Sequence, residues 1–207
     1  MQICWIRSSK NAVVIGGDDC NEGEDLMARI FTGYLLMFFD LNINGFDLLP
    51  DFLGYIFIVL GAGELEHKSD KFSTGKSWAT VMTIYSLISI WMNMMQFNIF
   101  FVEIAATIAS IYVTYCVVSG IGDIEENEGI NMDAKSLRSL WQVEAIMRII
   151  CVGLGFFSFS DMEVIIIIVS LGEFIVYIMF LVALSKAKNI YNSASKSDVS
   201  EHVDMED

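Results

Sequence analysis

The chain has 207 residues, of which 55% are apolar and 18% charged, against about 45–50% and about 25% in an ordinary soluble domain. Its 26 acids outnumber its 12 bases, for a formal charge of −14, which excludes a nucleic-acid-binding surface, since phosphates require a basic face. These figures also exclude a disordered chain, a collagen and a disulfide scaffold, and they point away from a soluble enzyme.

In chain order, residues 1–24 read as a short cytoplasmic segment, with room for one strand or turn around 12–15. Arg7 and Lys10 interrupt the apolar residues before a signal-peptide h-region of about 7–15 residues can form. A membrane domain of six helices is expected over 25–186. Crossing about 30 Å of hydrocarbon takes about 20 apolar residues. The runs 26–41 and 47–63 are shorter than this. They read as spans of a thin or pinched bilayer, with a re-entrant hairpin as the alternative. Asp47 is the expected N-cap of the second helix and Pro50 lies in its first turn, where a missing N–H costs nothing. The runs 78–95, 99–121, 140–158 and 162–184 are long enough outright. Residues 187–207 read as an acidic, flexible cytoplasmic tail. The fold class is therefore all-α, a polytopic transmembrane helical bundle with two short leading helices.

Lysine and arginine set the orientation. One side receives Arg7, Lys10, Arg29, Lys68, Lys71, Lys76, Lys135, Arg138, Lys186, Lys188 and Lys196, while the opposite turns hold none. The basic side is the cytoplasmic one, because acids contribute little to this bias, so both termini are expected inside a bacterial-type cell membrane. Trp78 and Trp141 mark the inner helix ends, and phenylalanines crowd the outer ones. Short outer turns make consecutive helices antiparallel neighbours. Gly54, Gly61, Ala105, Ala109, Ala106, Ser110, Gly153 and Gly155 offer small faces for close packing.

The twelfth base, Arg148, lies inside an apolar run, as does Glu173. An ionised group at the bilayer centre costs about 2.5–3.5 kcal/mol on insertion scales, so such residues mark an internal ion pair or a polar pathway. Counted from Ser160, Arg148 is 12 residues before the turn and Glu173 is 13 after it. An antiparallel hairpin therefore brings them to one depth. Glu144, one turn from Arg148, completes a carboxylate–guanidinium–carboxylate cluster. Glu103, Glu163 and Asn93 lie nearer the outer ends, in reach of water.

The first outer turn places Asp40, Asn42, Asn44 and Asp51 at positions 1, 3, 5 and 12 of the calcium-loop template, with Gly45 at position 6. Asp47 stands where an apolar residue is usual, Pro50 falls at position 11, and Asp51 replaces the longer bidentate glutamate. An Asn-Gly tight turn closing a helical hairpin is the simpler reading, and a divalent-ion site the sharper one.

No catalytic constellation, cofactor site or other metal site is expected. Gly120-Ile121-Gly122-Asp123 matches the GxGD string of intramembrane aspartyl proteases, but no second aspartate sits at matching depth. Gly75-Lys76-Ser77 has Asp70 where a phosphate-binding loop needs its first glycine. His67 and His202 are isolated, and Cys4, Cys20, Cys116 and Cys151 are too far apart in sequence for a zinc motif.

The segment Asn44-Gly45-Phe46-Asp47-Leu48-Leu49-Pro50-Asp51-Phe52-Leu53-Gly54-Tyr55 resembles the opening of a group of small uncharacterised bacterial multi-pass membrane proteins. The likeness covers residues 26–65. It implies an integral membrane protein with a distinctive first hairpin and carries no catalytic activity. The expected function is non-enzymatic, either a small transport or permeation unit using Arg148, Glu173 and Glu144 or a subunit of a membrane complex. The alternative is a sensor whose outer turn responds to ions. Expected partners are the lipid bilayer and a membrane protein or second copy, and no nucleic acid.

Overall fold

A computed structural model describes the backbone of residues 4–8, 11–15, 22–38, 42–43, 46–47, 51–95, 100–156 and 163–203. It describes the side chains of 27–38, 51–92, 95, 101–154, 165 and 167–195. The order is β1 (Cys4–Ser8), β2 (Asn11–Ile15), α1 (Glu22–Phe38), β3 (Asn42–Ile43), β4 (Phe46–Asp47), α2 (Asp51–Leu65), α3 (Asp70–Met94), α4 (Phe100–Glu128), α5 (Ala134–Phe156) and α6 (Glu163–Val203). The chain is all-helical apart from two short hairpins. β1 pairs antiparallel with β2, Cys4 opposite Ile15, and β3 pairs with β4, Asn42 opposite Asp47.

Local chemistry sets the helix ends. Ser69 caps α3, its hydroxyl accepting from the Lys71 N–H at 3.1 Å. Gly129, at φ +69°, ends α4 in the left-handed conformation that suits glycine. Asp133, at φ 61°, precedes α5 and accepts the Ser136 hydroxyl at 2.7 Å. The second helix begins later than expected. Asp47 belongs to β4 and α2 starts at Asp51, so Asp47 is paired in a strand and is not the N-cap.

The helices form a closed ring. Each packs on its neighbours in sequence, and α6 packs back on α1. The turns after α2 and α4 gather at one end with the C-terminal half of α6. There Lys68 pairs with Glu128, Lys186 pairs with Asp133 at 3.2 Å, and Ser69 donates to Asp123. The apolar core lies in this basic half, around Ile58, Leu65, Phe72, Val117, Ile121, Met132, Leu137 and Leu184.

Helices α1 and α2 approach through Gly33 and Gly54. A Cβ on Gly33 would lie 2.6 Å from the Gly54 carbonyl oxygen, and one on Gly54 would lie 2.8 Å from that of Gly33. Gly153 behaves differently from the close-packing expectation, since nothing lies within 4 Å of an added Cβ there. Phe38 stacks on Phe174 and Tyr177 at 5.2 and 5.6 Å, and Tyr34 meets Phe180 edge-on at 5.4 Å. The end of α1 is therefore level with Phe174, eleven residues into α6, which leaves about 16 Å of α6 beyond it.

Helix α6 also departs from expectation. It continues unbroken to Val203, past the boundary drawn at 187, and Ala187 and Tyr191 are buried.

Candidate functional site

Arg148 stands fourteen residues into α5, on the face turned toward α4 and α6. Its Nη2 lies 3.0 Å from Glu144 Oε1, one turn earlier, and its Nε lies 3.3 Å from Glu173 Oε1 on α6. The Nε contact is an ion pair without hydrogen-bond geometry. Nη1 donates to the Ser110 hydroxyl on α4 at 3.1 Å. The Glu144 side chain is only 6% exposed, and its Oε2 has no hydrogen-bond partner. Cys151 Sγ lies 3.5 Å from Glu173 Oε2, so Glu173 is held from two sides. The three residues singled out in the sequence thus form one cluster, and its depth matches the hairpin count.

Arg148 and Glu173 form part of the wall of an open cavity of about 580 Å³ in the half of the bundle away from the basic loops. All six helices contribute. Phe38 and Asp51 come from the adjoining ends of α1 and α2, Ser86 and Ser89 from α3, Glu103, Thr107 and Ser110 from α4, Arg148 from α5, and Ser170, Glu173 and Tyr177 from α6. The described ends of α1 and α2, Phe38 and Asp51, lie at its wall. Its lining mixes serines, a threonine and carboxylates with aromatic and methionine side chains, in a bundle whose other half is packed with hydrocarbon. Tyr177 closes one side, donating its hydroxyl to the Tyr34 carbonyl at 2.9 Å.

Sequence reasoning missed this hydroxyl lining. Ala106 and Ser110 were read as a packing face, whereas both line the cavity and Ser110 takes a hydrogen bond from Arg148. A signal was present in the i, i+3 and i+4 spacing of Ser86, Ser89, Thr107 and Ser110 with Glu103, which puts one polar stripe on each of α3 and α4. Glu103 is exposed and reaches the cavity, in keeping with the solvated role expected. The side chains of Asn93 and Glu163 lie outside the described residues.

The proposed ion-binding turn falls mostly outside them as well. Asp40 and Asn44 are not described, nor are the side chains of Asn42 and Asp47, while Asp51 begins α2. Among the described residues, no group of three or more His, Cys, Asp and Glu side chains is placed to hold a metal ion.

The outer surface is as unusual as the interior. Along α3, Val81, Ile84, Ile88 and Trp91 are exposed, along α5 Ile146 and Ile149, and along α6 Ile168, Leu171, Ile175 and Val182. Exposed apolar residues on α6 run from Ile165 to Val182, about 26 Å along the axis. Soluble monomers do not carry an apolar surface this continuous. Among the described residues, two helical stretches, Phe101–Glu128 and Ile167–Ser195, are long and apolar enough to cross a membrane. At the basic edge of this belt Trp78 meets Tyr112 at 5.5 Å, and Trp141 donates to the Ile111 carbonyl at 3.1 Å.

No family model, curated protein or solved structure matches the chain.

Proposed function

We propose that the chain is a polytopic bacterial-type membrane protein whose central cavity binds a small polar solute in passage. In this reading it is a transport or permeation unit rather than an enzyme. The observation that carries it is the position of Arg148, Glu144 and Glu173. They sit at the mid-height of the exposed apolar belt, and Arg148 and Glu173 face the cavity. A charge at that depth is costly unless it serves a pathway or a pair, and a purely structural pair needs no cavity beside it.

Helices α3 to α6 cross the bilayer, and the α1–α2 hairpin enters from the cytoplasmic side and stops part-way. Lys68, Lys71, Lys76, Lys135, Arg138 and Lys186 stay in the cytoplasm with both termini, as the positive-inside bias requires. The Trp78–Tyr112 and Trp141 group then forms the inner aromatic belt. In this reading the cavity is accessible from the outer side, as a midplane site is in transporters generally.

Cysteine accessibility tests this reading. In a variant lacking native cysteines, Ser89→Cys and Ser170→Cys are expected to react in intact cells with a membrane-impermeant thiol reagent. Ile168→Cys, on the lipid-facing surface, is expected not to react. Equal protection of all three positions contradicts a water-filled cavity open to the outside.

A further inference from the structure

The solute class follows from how the charge in the cavity is used, and this inference rests on the reading above. The only base among the lining residues is Arg148, against the carboxylates of Asp51, Glu103 and Glu173. The charge of Arg148 is already balanced by the carboxylates of Glu144 and Glu173, which lie 3.0 and 3.3 Å away, and its Nη1 donates to Ser110. An anion would also enter beside the carboxylates of Glu103 and Glu173, which repel it. A cation meets the opposite field.

The wall also excludes a bare metal ion as the best fit. Such an ion needs several oxygen ligands converging within about 2.6 Å, whereas no cluster of three candidate ligands exists among the described residues. A volume of about 580 Å³ suits a molecule, since small-molecule sites span about 300–1,000 Å³. One side of it carries the aromatic stack of Phe38, Phe174 and Tyr177, with Phe38 and Tyr177 almost parallel at 7°. Such rings favour an organic cation, through their quadrupole and through apolar contact.

We infer that the cavity takes a small organic ammonium ion, its charged head toward Glu103 and Glu173 and its apolar body against the Phe38–Phe174–Tyr177 stack.

The test uses the purified full-length chain in detergent and three probes with one aromatic body, namely benzyltrimethylammonium, benzoate and benzyl alcohol. Equilibrium dialysis is expected to give saturable binding of benzyltrimethylammonium alone. Glu103→Gln is expected to weaken it roughly tenfold, the equivalent of about 1.4 kcal/mol, while Glu103→Asp, which keeps the charge, retains most of it. Gel-filtration profiles identical to wild type establish that both variants fold. Saturable benzoate binding overturns the cation assignment and leaves a solute site standing. Saturable binding of none of the three overturns both the assignment and the solute-site reading. Ammonium binding unchanged in Glu103→Gln overturns the placement of the charged head.

Discussion

The hydroxyl of Tyr177 donates to the main-chain carbonyl of Tyr34 at 2.9 Å, joining residues 143 positions apart in sequence. This bond and the aromatic contacts beside it fasten α6 to α1 and so close the ring of six helices. Both tyrosines are buried. Tyr177→Phe keeps the ring packing and removes only the donor, so a loss of about 0.5–1.5 kcal/mol is expected. Thermal unfolding in detergent measures it, and an unchanged midpoint would show the bond to be dispensable.

The Gly33–Gly54 contact gives a steeper effect. Gly33→Ala drives a methyl against the Gly54 carbonyl and the Ile58 side chain, 2.6 and 2.8 Å away. Overpacking of this kind costs about 1–3 kcal/mol. Gly153→Ala is the control, because its Cβ meets nothing within 4 Å, and the gain in helix propensity makes it neutral or stabilising by up to about 1 kcal/mol. Unfolding midpoints that fall for both substitutions would refute the distinction.

Much of this architecture was legible in the residues, and the exceptions have physical causes. The four long apolar runs became α3 to α6 because length and hydrophobicity leave a helix few alternatives. The depth match of Arg148 with Glu173 followed from counting along an antiparallel hairpin. The first hairpin was harder. α2 begins at Asp51 and not at Asp47, and the Gly33–Gly54 approach depends on which helices become neighbours, which no local pattern encodes. The end of α6 was misread because acidity after Leu184 suggested fraying, whereas Ala187 and Tyr191 are held by packing. The cavity was invisible for a similar reason. It is lined from all six helices, and scattered serines share one space only once those helices have become neighbours.

Neutralising the centre of the charged cluster is expected to be costly. Arg148→Met leaves Glu144, which is almost fully buried, and Glu173 without their shared cation. Breaking such a pair costs about 3–5 kcal/mol, whereas removing every charge together costs far less. Arg148→Met with Glu144→Gln and Glu173→Gln is therefore expected to regain most of the lost unfolding free energy. Equal instability of the single and triple variants would show that the charges do not act as a unit.

The basic end supplies a pH-dependent prediction. Hydrogen bonding from Ser136, then the Lys186 ammonium, holds the Asp133 carboxyl below its ordinary range. Its folded value is lower than its unfolded one, so its contribution is fully present above the unfolded value, about 3.9. It is lost as pH falls through the folded one. The unfolding midpoint of Asp133→Asn, a residue that also tolerates the left-handed backbone found here, should fall below wild type at neutral pH. The gap should close in strong acid. A gap that widens on acidification would reverse the assigned sign.

The central claim is that the exposed apolar belt lies in a bilayer, with the loops around Lys71 and Lys135 on one face. The most direct measurement is labelling of single cysteines at positions 71, 98 and 135 in intact cells and in inverted membrane vesicles. Cysteines at 71 and 135 are expected to react only in inverted vesicles, and the one at 98 only in intact cells. Reaction of 71 and 135 from opposite faces, or recovery of the chain in the soluble fraction without detergent, would contradict it.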